Sequence, residues 1–393
     1  MTRTQQQRLR KQRQRRQTLF LAVGCSAVLG LVFLVFSLTS GRYPGEGGNE
    51  TAAAETAGAV AEAPAVSLQG VERPVDLSLS LGLGGNVAFP PSSADAFRAA
   101  GYGSAWEGVR PFMAGHDLNV VNLEGPLCRG GNANPEQTSL CLRGDVSSAA
   151  PMAAAGVSAV SLANDHAMDY GPKGLEETLN LLRGERLGVC GAGSNRHAAG
   201  QPLVLKTPGG AEVALLSLSD VGPDAYAAGD DSPGINAVTS LEAVGEAVSA
   251  AAGEAHYVVV LVHWGEEDGA EITPRQREIA RACARAGADL VVGCHPHAVQ
   301  GMEIIEDTPV IYSLGDLLYY ARGGAGAGIL ASCRFDDGAL RSLEFFPVRA
   351  GENGAAMPSG EEARRSLEEL TAASPGVDLR ISDGGDSALL ILE

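Results

Sequence analysis

His295-Pro296-His297 follows an apolar run, Leu290 to Val292, that stops at Gly293. A short buried strand that ends in glycine and is followed by two near-adjacent imidazoles reads as a site at a strand's C-terminal end. In extended backbone, residues two apart point to the same side, and Pro296 disfavours helix at His295. Both rings are therefore expected to face one centre. The bland alternative is a pair of loop histidines with no ligand.

The same pattern recurs along the chain. Apolar strands stop just before Asn86, Glu124, Asp165-His166 and His263. Four of the seven histidines sit at such ends, the places where open α/β sheets build their sites. The donor set is imidazole and carboxylate with no thiolate cluster, which suits Mn, Fe or Zn rather than a closed structural zinc site. Asn86, Glu124, Asp165, His263, His295 and His297 exceed what one ion needs. Two divalent ions bridged by an acid are the expected arrangement, with Glu124 as the bridge. His166 beside Asp165 is the candidate general acid. Asn122, Asn164, Trp264 and Glu266 flank these positions and are candidate substrate contacts. Cys294, next to His295, is a minor alternative ligand.

The elements that must position these groups alternate between strand and helix. Strands are expected over 75–85, 117–123, 157–163, 213–218, 257–262 and 290–292, the first ending in a tight turn at Gly84-Gly85 with Asn86 in it. Helices are expected over 93–100, from Pro172 to Gly184, and from Pro274 to Ala286, where Pro near the start and Gly past the end mark the limits. Segments 328–335 and 341–348 suggest an antiparallel pair, 361–373 a helix and 388–393 an edge strand. GxGxxG, Walker and G-x-S-x-G motifs are absent from the sequence.

Charge is unevenly distributed. Seven of the 29 basic residues lie in the first 16 positions, which hold no acid, so the rest of the chain carries 22 bases against 47 acids. An acidic body argues against nucleic acid as partner, since phosphate binding needs basic patches. Residues 1–17 read as a cytoplasmic basic tail. The 21 uncharged residues Thr18 to Leu38 read as a transmembrane anchor, with a cleaved signal peptide as the competing reading. Residues 39–74, rich in Gly, Ala and Glu, form an expected disordered linker. The body, 75–350 with a C-terminal extension 351–393, is then extracytoplasmic. In an oxidising compartment Cys128 and Cys141, flanking a Gly- and Asn-rich loop, are expected to form a disulfide.

The runs VNLEGPL, SLANDHAMDYGPKGLEETLNLL, VHWGEE, GADLVVGCHPHAVQGMEII and VIYSLGDLL, in this order between Leu77 and Leu318, resemble the poly-γ-glutamate capsule biosynthesis (CapA-like) family, related to calcineurin-like metallophosphoesterases. The resemblance implies a four-layer αββα sandwich of metallophosphoesterase type with a metal site at the strand ends. It also implies a membrane-anchored role in making, exporting or anchoring an anionic polymer, with capsule synthase subunits as partners. Three positions depart from the family. It has Gly-Asp where this chain has Gly85-Asn86, Asn-Asn-His where it has Asn164-Asp165-His166, and Asn where it has Asp316. Asp165 is expected to face the same centre as Asn86 and to supply the charge that Asn86 lacks.

Overall fold

The computed structural model describes residues 75–89, 97–134, 140–319 and 326–392. The basic tail, the apolar run 18–38 and the linker 39–74 lie outside the described residues, as do the first residues of the helix expected over 93–100. Among the described residues no helix is long and apolar enough to cross a membrane.

Eighteen strands are described. The first eight are β1 (Leu79–Val87), β2 (Leu118–Leu123), β3 (Ala159–Ser161), β4 (Gly188–Cys190), β5 (Ala192–Gly193), β6 (Leu203–Lys206), β7 (Glu212–Ser219) and β8 (Gly234–Ile235). They are followed by β9 (Tyr257–His263), β10 (Leu290–Cys294), β11 (Val299–Ile305), β12 (Thr308–Leu314) and β13 (Asp316–Leu318). The last are β14 (Gly326–Asp336), β15 (Ala339–Gly351), β16 (Gly354–Ala356), β17 (Arg380–Ile381) and β18 (Ala388–Ile391). Two large mixed sheets result. One runs β17-β18-β15-β14-β1-β2-β3-β4, with β13 also on β1 and β16 on β15. The other runs β11-β12-β10-β9-β7-β6.

Side-chain alternation explains how these sheets pack. In β9, Tyr257, Val259 and Leu261 join an apolar cluster with Leu79, Leu81 and Leu83 of β1. The intervening Val258, Val260 and Val262 join Val244 and Val248 of the helix Leu241–Glu254 and Ile279 of the helix Pro274–Ala286. Both faces of the strand are buried, so it reads as one unbroken apolar run. Across the first sheet, Val121 and Val160 turn the other way, toward Leu175 and Leu182 of the helix Gly171–Gly184. The two sheets thus face each other, and helices cover their outer faces.

Several expectations are confirmed and some corrected. The helix Pro274–Ala286 starts on a Thr273–Gln276 capping box and stops at left-handed Gly287. β14 and β15 form the expected antiparallel pair. β1, however, does not turn at Gly84-Gly85. It runs on to Val87 with a register shift against β2 between Leu83 and Asn86. Gly85 is needed because a Cβ there would lie 1.9 Å from the Gly315 carbonyl oxygen. β18 pairs with β15 on one side and β17 on the other, so it is not the edge. Residues 351–392 pack into the same body, with Leu367, Leu370, Leu379 and Leu390 in the inter-sheet core. Cys128 and Cys141 are not bridged, and all six described cysteines are free thiols. The Cys128 thiol is turned onto Gly174, while that of Cys141 faces the Asn134 carbonyl at 3.9 Å.

Candidate metal centre

β1, β2 and β3 are parallel neighbours in one sheet, and β9 and β10 are parallel neighbours in the other. Their C-terminal ends bring Asn86, Glu124, Asp165, His263, His295 and His297 together in one buried polar cluster. His295 and His297 are not extended, as the sequence led one to expect. Their φ angles are +103° and +53°. Non-glycine residues held there cost roughly 1–3 kcal/mol each, a strain that collects at functional sites. The turn nonetheless keeps both rings by the centre, with centroids 6.4 Å apart.

Two groups of side chains meet at Glu124. In the first, His263 Nε2 lies 2.9 Å from Asp165 Oδ1, and His295 Nδ1 lies 3.8 Å from the same oxygen. The ligand atoms of Asp165, His263 and His295 all fall within 4.8 Å of one another, a spacing that fits one ion. In the second, His297 Nδ1 contacts Asp316 Oδ1 at 2.8 Å, and Asn86 Nδ2 donates to that oxygen at 3.1 Å. Glu124 Oε1 lies 3.8 Å from His263 Nε2, and its Oε2 lies 3.8 Å from His297 Nε2. Glu124 Oε2 is buried and has no hydrogen-bond partner. A buried orphan carboxylate oxygen facing an imidazole fits an ion between them, because an unpaired buried charge is otherwise costly.

The electrostatics divide the histidines by task. Burial pushes the Glu124 carboxyl up, and the charges of His297, His263 and His166 pull it only partly back. Burial also opposes the Asp165 carboxylate, yet the His263 hydrogen bond and the charges of His263, His166 and His295 hold it well below the usual range. Burial, with the nearby His263 charge, lowers His295 to about 3, which leaves it neutral. At His166 burial disfavours the imidazolium, but the Asp169 hydrogen bond and the charges of Asp165, Asp169 and Glu124 raise it to about 9. His297 is likewise raised to about 9 against its burial, by Glu124 and Asp316.

His166 has the geometry of a proton donor. Its Nδ1 lies 2.8 Å from Asp169 Oδ2, and Tyr226 Oη donates to the other Asp169 oxygen at 2.9 Å. Nε2 is left facing the centre, 3.9 Å from Asp165 Oδ2. Asp169 was missed in the sequence, where its position three residues past His166 was the available signal.

The four expected substrate contacts fall differently. Asn122 donates to Asn86 Oδ1 at 3.0 Å and to Glu124 Oε1 at 3.2 Å. Asn164 donates to the Leu123 carbonyl at 2.8 Å and to Asn122 Oδ1 at 3.2 Å. Both are buried and tie the strand ends together. Trp264 is wholly buried, donates to the Tyr312 carbonyl at 2.8 Å and stacks on the Tyr312 ring, so it is a core residue and not a substrate contact. Glu266 is exposed in the turn that follows β9. Burial pushes the Cys294 thiol well above its ordinary value, and Cys294 is not in the cluster of Asp165, His263 and His295. Tyr319, which no sequence pattern singles out, has its ring 4.2 Å from that of His297. A cavity of about 500 Å³ opens beside the centre, lined among others by His297, Asp316, Tyr319, Asp268, Arg349 and Glu369.

Imidazoles and carboxylates gathered at the ends of parallel strands in an α/β body form a donor set that could hold a divalent metal. Comparison with known proteins makes the assignment specific: residues 80–321 match the family described as bacterial capsule synthesis protein PGA_cap, and the chain belongs to it. It is 31% identical over 219 residues to the PGA biosynthesis protein CapA of Bacillus subtilis (strain 168), covering 56% of this chain and 57% of that one. It is 31% identical over 216 residues to the capsule biosynthesis protein CapA of Bacillus anthracis, covering 54% and 52%. A probable polyglutamine synthesis accessory protein of Mycobacterium tuberculosis (strain ATCC 25618 / H37Rv) is 25% identical over 276 residues, covering 65% and 72%. The chain spans about half the length of the two CapA relatives it matches. Among solved structures, a putative 5'-nucleotidase from Staphylococcus aureus, in complex with alpha-ketoglutarate, has a TM-score of 0.43 at 13% identity, covering 75% of this chain and 58% of that one.

Proposed function

We propose that this chain is a membrane-anchored, extracytoplasmic protein of poly-γ-glutamate or capsule biosynthesis. Its αββα body would be of metallophosphoesterase type and carry a dinuclear hydrolase-type centre. The observation that carries the metal reading is Glu124: a buried carboxylate between two histidine groups, with one oxygen unpartnered. Asp165, His263 and His295 would hold one ion and His297 a second, with Glu124 shared. Bound there, a divalent ion supplies Lewis acidity and activation of water. His166, protonated and held by Asp169, delivers a proton to the leaving group. Asn122 and Asn164 fix the strand ends so that these groups need no rearrangement. The substrate class is a phosphoester or a polyglutamate-like chain entering by the cavity beside His297. Anchoring and topology rest on the uncharged run 18–38 and the seven basic residues before it.

A non-catalytic scaffold that holds an anionic polymer or a synthase partner is the second reading. Asn86 favours it, because a neutral amide stands at a strand end where the family carries a carboxylate, and the amide is taken up by Asn122 and Asp316. Purified full chain loaded with Mn²⁺ separates the two. Turnover of a generic phosphodiester, or shortening of poly-γ-glutamate, that disappears in His166→Ala supports the enzyme. Metal and polymer binding with no turnover supports the scaffold.

A further inference from the structure

Asn86 of β1 and Asp316 of β13 are register partners in parallel strands. Their side chains meet over one atom, His297 Nδ1, which lies 2.8 Å from Asp316 Oδ1 and 3.2 Å from Asn86 Nδ2. Nδ1 cannot serve both amide and carboxylate as donor and acceptor at once. The carboxylate contact is shorter and charge-assisted, so Nδ1 carries the hydrogen and Asp316 accepts it. Asn86 then donates to the same Oδ1 and accepts from Asn122. With Nδ1 donating to Asp316, Nε2 is the nitrogen left facing the orphan Oε2 of Glu124, where an ion would displace its proton. A carboxylate behind a ligating imidazole sets its tautomer, its orientation and its basicity. Tyr319 packs on the ring. Gly326 leaves room for the carboxylate, since a Cβ there would come within 2.9 Å of Asp316 Oδ2.

We propose that Asp316 is the positioning residue of His297, and that Asn86 and Asp316 form an interchangeable amide–carboxylate pair in which either position can hold the imidazole. This replaces Asp165 as the partner of Asn86, because Asp165 lies with His263 and His295 in the other ligand group. The inference rests on the metal-centre reading, and its test separates the two.

Mn²⁺ binding to the purified full chain is measured by titration calorimetry, with the melting temperature of the metal-free protein recorded for each variant. Asp316→Asn is expected to bind roughly 10–100-fold more weakly, the usual cost of losing such a partner. Asn86→Asp/Asp316→Asn, which keeps both groups but swaps them, is expected to return within about threefold of wild type. A residue that merely filled space would not be rescued by moving its charge across the strand pair. Wild-type affinity in Asp316→Asn would overturn the inference alone, whereas a wild-type chain that takes up no Mn²⁺ would overturn the metal-centre reading with it. If Asp316→Asn melts far below wild type, the double variant decides. Folded and near wild-type affinity, it supports the interchange; folded and weak, or unfolded, it overturns it.

Discussion

Glu124→Gln should stabilise the metal-free protein and weaken it as a metal binder. The Glu124 side chain is about 1% exposed, and its Oε2 has no hydrogen-bond partner. Glutamine is nearly isosteric, keeps an oxygen for the Asn122 amide and removes the buried negative charge. Relief of one unsatisfied buried group is worth roughly 1–3 kcal/mol. For a body of roughly 320 residues, about 2.1 cal/mol/K per residue converts that to a rise in melting temperature of roughly 1.5–4.5 °C. Loss of attraction to His297 opposes the gain, but that imidazole keeps its 2.8 Å partner in Asp316. The sign follows from the raised carboxyl: ionisation costs more in the folded state, so the charge advantage of Gln is absent below the ordinary value of 4.5, grows as pH rises toward the raised folded value and is complete above it. Excess Mn²⁺ at about 100 times its Kd should stabilise wild type by roughly 2.7 kcal/mol and the variant by much less. Scanning calorimetry with and without Mn²⁺ should therefore show the order of the two melting temperatures reverse. A variant less stable than wild type without metal, or equally stabilised by Mn²⁺, would refute the reasoning.

Asp165→Asn should lose the ion shared with His263 and His295, measured as a drop in bound Mn²⁺ per chain, while Asn86→Asp retains wild-type content or better. Where the chain turns over a phosphodiester, His166→Ala should lower kcat by about 10²–10⁴-fold, with metal content unchanged. His166 and His297 are raised to about 9 from an ordinary 6.5, so their stabilising interactions are complete below pH 6.5 and are lost as pH climbs through 9. The melting temperature of the metal-free chain should fall across that window, while Mn²⁺ affinity rises because the ion no longer competes with a proton at His297.

Much of the site was legible because buried strands announce themselves. β7, β9 and β10 are apolar on both faces, and each change to a polar residue at their ends marks a place where backbone leaves the core. Charged and amide groups there have to converge on one another or on a ligand. What the sequence did not carry was direction. Trp264 follows His263 directly, yet it turns into the opposite face and is locked on Tyr312, since neighbouring residues on a strand point to opposite sides. The positive φ angles of His295 and His297 break the alternation that was used to predict their convergence. Asp316 met Asn86 only through a pairing between β1 and β13 more than two hundred residues apart in sequence. The helix Leu241–Glu254 was missed because its buried stripe is only Val244, Val248 and Ala251 among small residues. The Cys128–Cys141 pairing failed because proximity in sequence does not orient the thiols.

Anomalous X-ray scattering at the manganese edge, from crystals of the full chain soaked in Mn²⁺, tests the central claim most directly. Two peaks are expected with Glu124 between them, one among Asp165, His263 and His295 and the other beside His297. No peak within this cluster, or a single peak that leaves Glu124 Oε2 without a partner, would contradict it.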